Sequence, residues 1–333
     1  MIKYLGSKRV LVPQLVELVR ALGEVHTFLD VFSGTARVGH AMKGAGLRVR
    51  ANDHNAYAHV LAQCYVAADR DALAEPAQRL LDELQALPPR PGYVTETFCE
   101  RARYFQPKNG ARIDAIRERI EALELPPDLR AVALVSLMEA ADRVDSTTGV
   151  QMAYLKQWAP RAYNDLELRL PRLLPGPGDA HALDAQELVQ RYAADVVYLD
   201  PPYNQHKYLG NYHVWETLVR WDAPPAYGVA QKRIDCKTRR SPFNSRRQIE
   251  PAMRALIDAA QARWLLVSFN NEGFISRDQM LQLLSRRGPV DVMEIAYDRY
   301  VGAKIGIYNP QGEKVGQVGH LKNVEYLFRV RCT

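Results

Sequence analysis

Residues 27–32 (Thr-Phe-Leu-Asp-Val-Phe) form a short, nearly continuous apolar run, the pattern of a strand buried on both faces. Ahead of it, residues 9–22 carry apolar positions at helical spacing and predict a helix. Behind it, the run stops at the small-residue turn Ser33-Gly34-Thr35-Ala36. Residues 37–46 then predict a short helix closing on Gly44 and Gly46, and residues 47–51 a second strand ending at Asn52-Asp53. Strand, glycine-bearing loop, helix and strand in that order open a nucleotide-binding α/β fold.

From about 55 to 170 the pattern becomes mostly helical. Residues 111–124 place Ile113, Ile116, Ile120 and Leu123 in one stripe, and residues 128–141 are apolar enough to predict a buried helix. Pro88, Pro89 and Pro91 break the region once, and Pro171, Pro175 and Pro177 end it. Strand-type runs return at 195–199 and 264–269, the second after a helix near 248–262. Residues 290–300 and 322–331 predict two last strands, with a hairpin turn in the polar connection Tyr308-Asn309-Pro310-Gln311-Gly312. The fold class expected is α/β, a Rossmann-like sheet built from residues 1–54 and 176–333, with a mostly helical insertion at 55–175.

Composition narrows the class. The chain has 333 residues, 47% hydrophobic and 25% charged, enough to bury a core and unlike a disordered chain. Cys64, Cys99, Cys236 and Cys332 stand singly, without Cys-x-x-Cys or a Cys/His cluster, so neither a zinc site nor a disulfide framework is expected and a reducing cytoplasm fits. No window approaches the roughly 18 apolar residues of a membrane span.

The net charge of +6, from 44 Lys+Arg against 38 Asp+Glu, is local. Residues 231–254 hold Lys232, Arg233, Lys237, Arg239, Arg240, Arg246, Arg247 and Arg254 against Asp235 and Glu250, and 8 − 2 = +6, which leaves the remainder formally neutral. Ser241, Pro242, Asn244 and Ser245 make this segment read as an exposed loop. Such runs are usually solvated; the alternative is a set of phosphate contacts, whose affinity falls steeply with salt.

Two places carry candidate chemistry. In Phe28-Leu-Asp-Val-Phe-Ser-Gly34, Asp30 sits on the strand, Phe32 follows, and Gly34 permits close approach to the backbone. The spacing is not Gly-x-Gly-x-x-Gly, so the turn alone is a generic strand-to-helix loop. Asp53 lies about 20 residues further on, where a nucleotide fold places an acid for ribose hydroxyls; capping a helix near Asn55 is its other reading. The second place is Asp200-Pro201-Pro202-Tyr203, at the C-terminal end of the 195–199 strand. Two prolines remove two N–H donors and leave carbonyls free to accept. A carboxylate and an aromatic face beside them suit the amino group of a planar base; a rigid turn is the plainer reading.

These residues resemble the DNA adenine-N6 methyltransferases, S-adenosylmethionine-dependent enzymes with the cofactor motif first and the Asp-Pro-Pro-Tyr motif last, and within them the modification methylases of bacterial restriction systems. Lys3-Tyr4-Leu5-Gly6-Ser7-Lys8 resembles the N-terminal cofactor motif, with Tyr4 and Lys8 lining the cofactor. Asp30, Phe32 and Gly34 match the Phe-x-Gly motif, although Thr35-Ala36 stands where a second glycine is frequent. Asp53 matches the ribose-binding acid, and Asp184, ending a short strand in His181-Ala182-Leu183-Asp184-Ala185, resembles the acid near the cofactor's adenine. Asp200, Pro201, Pro202 and Tyr203 match the catalytic motif, with Asp200 also facing the cofactor. Asn211 to Thr217, Leu266 to Gly273, and Tyr297-Asp298-Arg299-Tyr300 are further family-like stretches.

The resemblance implies methylation of N6 on a flipped-out adenine in double-stranded DNA, a companion restriction endonuclease as a further partner, and no metal. Target recognition would fall in 55–175, where Asp145-Ser146-Thr147-Thr148-Gly149, Tyr154, Lys156, Trp158 and Arg161 offer polar, aromatic and basic side chains. Tyr154 and Trp158, four apart, also read as helix-packing residues. The basic 231–254 loop would contact DNA. An RNA adenine-N6 methyltransferase, a DNA cytosine-N4 methyltransferase and a catalytically silent nucleic-acid-binding protein remain as alternatives.

Overall fold

In the computed structural model, which describes residues 1–298, 307–308, 314–316 and 322–333, a 3₁₀ turn at Lys8–Val10 leads into α1 (Val12–Arg20). Strand β1 (Thr27–Asp30), helix α2 (Arg37–Gly44) and strand β2 (Arg48–Asn52) follow the spacing read from the sequence. Then come α3 (Ala56–Ala62), α4 (Arg70–Gln85), α5 (Pro107–Ala122) and α6 (Pro127–Arg143). The sheet resumes with β3 (Asp179–His181), α7 (Ala185–Arg191) and β4 (Ala194–Leu199). Helices α8 (Tyr208–Asn211) and α9 (His213–Arg220) precede the two-stranded β5 (Ala226–Tyr227) and β6 (Lys232–Arg233). Helix α10 (Ile249–Ala259), β7 (Ala262–Asn270), α11 (Arg277–Leu284) and β8 (Val290–Asp298) come next. The short β9 (Ile307–Tyr308) and β10 (Lys314–Gly316) and the long β11 (Lys322–Arg331) complete the described elements.

Seven strands form one sheet in the order β3-β2-β1-β4-β7-β11-β8. The five from β3 to β7 are parallel, and β11 runs antiparallel between β7 and β8. Alternation along each strand divides two cores. Phe28, Val196, Tyr198, Leu266 and Leu327 pack with α1, α2, α9 and the helices α3 to α6. Leu29, Val197, Leu199, Val267 and Phe328 face the other way, onto α7, α10 and α11. Apolar residues of the helical 55–175 segment therefore share one core with the sheet. The chain steps outward from β1 through β2 to β3, then returns to β4 on β1's other side. That reversal leaves a crevice beyond the C-terminal ends of β1 and β4, where open α/β sheets bind ligands. Asp30 ends β1, and Asp200 follows β4 directly.

Three readings need correction. After α6 the chain is not helical: residues 144–170 are irregular apart from a 3₁₀ turn at Pro160–Tyr163, so Tyr154 and Trp158 are not helix neighbours. Polar side chains win this backbone. The Thr147 hydroxyl accepts from Gly149 N–H at 3.0 Å, and Ser146 Oγ from Ala159 N–H at 3.1 Å. Lys3 and Arg161 both bond buried Asp145, each at 2.7 Å. Secondly, the short strand near Asp184 lies earlier, at Asp179–His181, and Asp184 instead caps α7 by accepting from Gln186 N–H at 2.9 Å. Thirdly, the basic segment is not one exposed loop, as described below. Arg299, Tyr300 and the turn residues Asn309 to Gly312 lie outside the described residues.

Candidate active site

Beyond the ends of β1, β2 and β4 lies a cleft of about 260 Å³. Tyr4, Lys8, Asp30, Phe32, Gly34, Asp53, Asp184, Asp200 and Pro202 all line it, although they come from widely separated parts of the chain. At the β1–α2 turn, Gly34 takes φ +50, and an added Cβ would sit 3.4 Å from the Tyr4 ring. Ala36 also adopts the left-handed region, at φ +59. The turn thus forms without a second glycine, at the modest steric cost a small side chain bears there. Asp53 holds the turn from below. Its Oδ2 accepts from Gly34 N–H at 3.1 Å, and its Oδ1 from Asn55 N–H at 3.0 Å. Asp53 therefore ties the glycine turn to Asn55, the residue that precedes α3.

Tyr4 stacks on Tyr212 (ring centroids 4.5 Å apart) and on Tyr208 (5.2 Å), and its hydroxyl meets that of Tyr57 at 3.1 Å. Burial pushes the Tyr4 hydroxyl well above its usual range, with Tyr57 and Asp53 adding to it, so it stays a neutral donor. Asp30 is almost wholly buried. Its Oδ2 accepts from Gly39 N–H at 3.1 Å, while Oδ1 and the nearby Ser33 hydroxyl find no partner among the described residues. Burial first, and then the charge of Asp200, push the Asp30 carboxyl up to about 8.

The Asp200 carboxylate lies 2.9 Å from the Lys8 ammonium, which also reaches Glu325 at 2.7 Å. Burial raises the Asp200 carboxyl to about 6, against the pull of Lys8 and with the push of Glu325. Burial would lower Lys8, but Asp200 and Glu325 together hold it well above the usual lysine range. Pro201 is buried and Tyr203 half-buried. The Tyr203 ring leans on Phe269 at 4.8 Å, and its carbonyl accepts from Phe274 N–H at 2.9 Å, which fixes the loop.

The basic residues divide into two groups. Arg233 is buried and forked onto Asp222 at 2.7 and 2.8 Å, with Asp235 at 3.1 Å. Arg239 lines the cleft while bonding Glu216 at 3.0 Å and the His54 carbonyl at 3.1 Å, and Lys237 sits 4.2 Å from the Tyr227 ring. Lys232 is half-buried. Arg240 lines the cleft and is exposed, as are Arg246, packed on Phe274 at 5.5 Å, and Arg247. Asn244 ties this segment to the loop that follows Tyr203 by donating to the Asn204 carbonyl at 2.8 Å. Arg233→Ala is expected to destabilise the fold by about 2–3 kcal/mol, since Asp222 and Asp235 lose their buried cation but keep Arg220, at 3.3 and 3.7 Å, and still reach solvent. Thermal unfolding checks this, as a fall in Tm of about 3–4 °C.

The reading by motif missed Glu325, Tyr57, Tyr208 and Ser33. A signal existed for two of them. Glu325 interrupts an apolar strand, and a charge there implies a buried partner. Tyr208 and Tyr212 are spaced to share a helix face. Among the described residues, no group of three potential ligands could hold a metal, and no helix is long and apolar enough to cross a membrane.

A Rossmann-like sheet with acids at its switch point, followed by an acceptor-rich Asp-Pro-Pro-Tyr loop, is the architecture of an α/β enzyme that takes its ligand in the crevice at the strand ends. Residues 4–280 match the D12 class N6 adenine-specific DNA methyltransferases, and the chain belongs to that family. It is therefore an adenine-specific DNA methyltransferase that uses a methyl donor and acts on DNA. The chain is 32% identical to the type II methyltransferase M.NlaIII of Neisseria lactamica, over 96% of this chain and 98% of that protein. It is 31% identical to the modification methylase StsI of Streptococcus sanguinis over 90% of its length, and 29% identical to the type II methyltransferase M.FokI of Planomicrobium okeanokoites over 86%. The chain spans only 48% and 47% of those two longer relatives.

Proposed function

We propose that the chain methylates N6 of a flipped-out adenine in duplex DNA, with S-adenosylmethionine as donor, as the modification arm of a restriction system with a companion endonuclease. The observation that carries the catalytic reading is the meeting of Asp200 and Lys8, at 2.9 Å, in one cleft with Asp30, Asp53 and Tyr4. The cleft suits the donor. The unpartnered Asp30 Oδ1 and Ser33 hydroxyl are buried polar atoms of residues that line the cleft, the glycine turn allows close approach, and Asp53 and Asp184 offer carboxylates to hydroxyl and amino groups. When bound, S-adenosylmethionine supplies an electrophilic methyl group on a sulfonium.

The protein's part is placement. Extruding the adenine costs a few kcal/mol of stacking and pairing, repaid by the pocket. Tyr203 offers a ring to stack on the base. Asp200 and the Pro201 carbonyl accept the two N6 hydrogens, drawing electron density toward N6 and orienting its lone pair. Asp200 need not be a strong base, since N6 can release its proton after transfer. The names of the relatives support the restriction-system role.

Labelled S-adenosylmethionine, offered with duplex DNA or with RNA and followed by nucleoside analysis, tests the reading. N6-methyladenine in DNA supports it; label only in RNA or on cytosine overturns it. Sequencing methylated positions in a methylation-deficient host bearing the gene would then give the target site.

The exposed Arg240 and Arg247 are the proposed phosphate contacts. Replacing both by alanine is expected to weaken DNA binding across sequences and to lower the slope of log affinity against log salt by about 2. Fluorescence anisotropy over a salt series checks this, with Arg233→Ala as a contrast that leaves the slope alone.

A further inference from the structure

We infer that Glu325 is a positioning residue for methyl transfer: it shares the Lys8 ammonium with Asp200, so that the Asp200 carboxylate keeps capacity for the adenine amino group. This rests on the proposed role of Asp200. Glu325 lies on β11, beyond residues 4–280 that match the family. Its backbone neighbours are Asn270 on β7 and Ile295 on β8, so the strand order carries it to the sheet end where Asp200 sits. The side chain of Glu325 is 2% exposed and that of Lys8 8%, with Asp200 at 18% and opening on the cleft.

A buried lysine with one carboxylate would be held tightly by it, and an incoming amine would have to displace the ammonium. Here the lysine is nearer Glu325 (2.7 Å) than Asp200 (2.9 Å). Two acids with one base also leave the cluster one negative charge in excess, the complement of an arriving monocation. The Lys8 ammonium lies 5.9 Å from the Tyr203 ring centre, so the same contact orders the proposed stacking face.

The groups facing Asp200 are Lys8, Glu325 and Asp30, with the hydroxyls of Tyr198, Tyr203 and Tyr208 around it. Removing the charge of Glu325 eliminates one influence that raises the Asp200 carboxyl and leaves Lys8 wholly to it.

The test is single-turnover methyl transfer by the full chain, with saturating duplex DNA and labelled S-adenosylmethionine, from pH 5 to 7. Wild-type activity in this assay first verifies the enzymatic reading; its absence would sink that reading, whatever Glu325 does. Glu325→Gln is expected to lower the rate ten- to a hundredfold, with little change in KM for DNA. The acid limb should move down by at least about half a pH unit. A rate within twofold of wild type overturns the inference. So does a slower rate with an unmoved limb, the result of a merely structural role. If Glu325→Gln does not fold, Lys8→Met with Glu325→Met removes both charged partners, and Asp200, 18% exposed at the cleft, can take up a proton in their absence. Asp200 then loses its cation, and the limb should move up; an unmoved limb counts against the inference equally.

Discussion

Replacing Asp200 by alanine is expected to lower methyl transfer to adenine N6 about a thousandfold while the protein remains folded. The size follows from the role: one of two acceptors for the amino hydrogens is lost from a buried site where water cannot replace it, and single groups of this kind carry two to three powers of ten. Stability is spared because Lys8 keeps Glu325 as a counter-charge at 2.7 Å, and because Asp30 loses a repelling neighbour. Tm should therefore move by only a few degrees. Asp200→Asn should be equally inactive, since its amide can turn an N–H toward the substrate's own N–H. Single-turnover transfer with labelled donor, beside calorimetric titration of donor and DNA separately, makes the check. Near-normal transfer by the alanine variant would remove Asp200 from the mechanism.

The place of the Asp-Pro-Pro-Tyr loop was legible because its residues are contiguous. Four adjacent residues carry the acceptors and the ring, and a strand pattern in front of them places the loop at the right end of the sheet. The β1–α2 turn was legible for the same reason, and the α/β class needed only the alternation of strands and helices, whereas the strand order was not read from the sequence. Glu325 was not legible by motif because its meaning is a pairing across 317 residues, made by inserting β11 antiparallel beside β7. The basic segment misled in the opposite direction. Charge counts cannot separate Arg233, whose guanidinium is forked onto Asp222 from outside the counted window, from Arg240, which is exposed at the cleft. Residues 144–170 read as helical because periodicity ignores side chains that bond the backbone. Asp145, buried and bound by Lys3 and Arg161, organises that stretch around itself. The motif Asp145 to Gly149, with Arg161, is therefore engaged internally at these bonds.

Asp30→Asn is expected to make the ligand-free protein more stable at neutral pH and a much poorer binder of the methyl donor. In the folded chain burial and Asp200 push the Asp30 carboxyl up to about 8, against 3.8 for the free side chain. Below about pH 4 both states hold the proton, and Asp30 has no effect on stability. As pH rises from there toward 8, the unfolded chain ionises while the folded one stays protonated, so stability is lost across that window and the loss is complete above it. At pH 7 the penalty is roughly 4 kcal/mol, and the unpaired Asn amide would return about 1–3 kcal/mol of it. Asparagine can still accept from Gly39 N–H, so the turn survives. The net gain should appear as a rise in Tm of about 1–4 °C at pH 7–8 that shrinks as pH falls and has reversed by pH 4, where only the amide's cost remains. Donor binding moves the other way. A cation beside the unpartnered Oδ1 draws the proton off Asp30, so wild-type protein should release protons on binding near pH 7, and Asp30→Asn should not. Affinity should fall ten- to a hundredfold. Thermal melts across pH, with calorimetric titration in two buffers of different ionisation enthalpy, read both effects. A variant less stable than wild type at pH 8, or one binding the donor unchanged, would show that the Asp30 carboxyl carries no strain kept for a positive ligand.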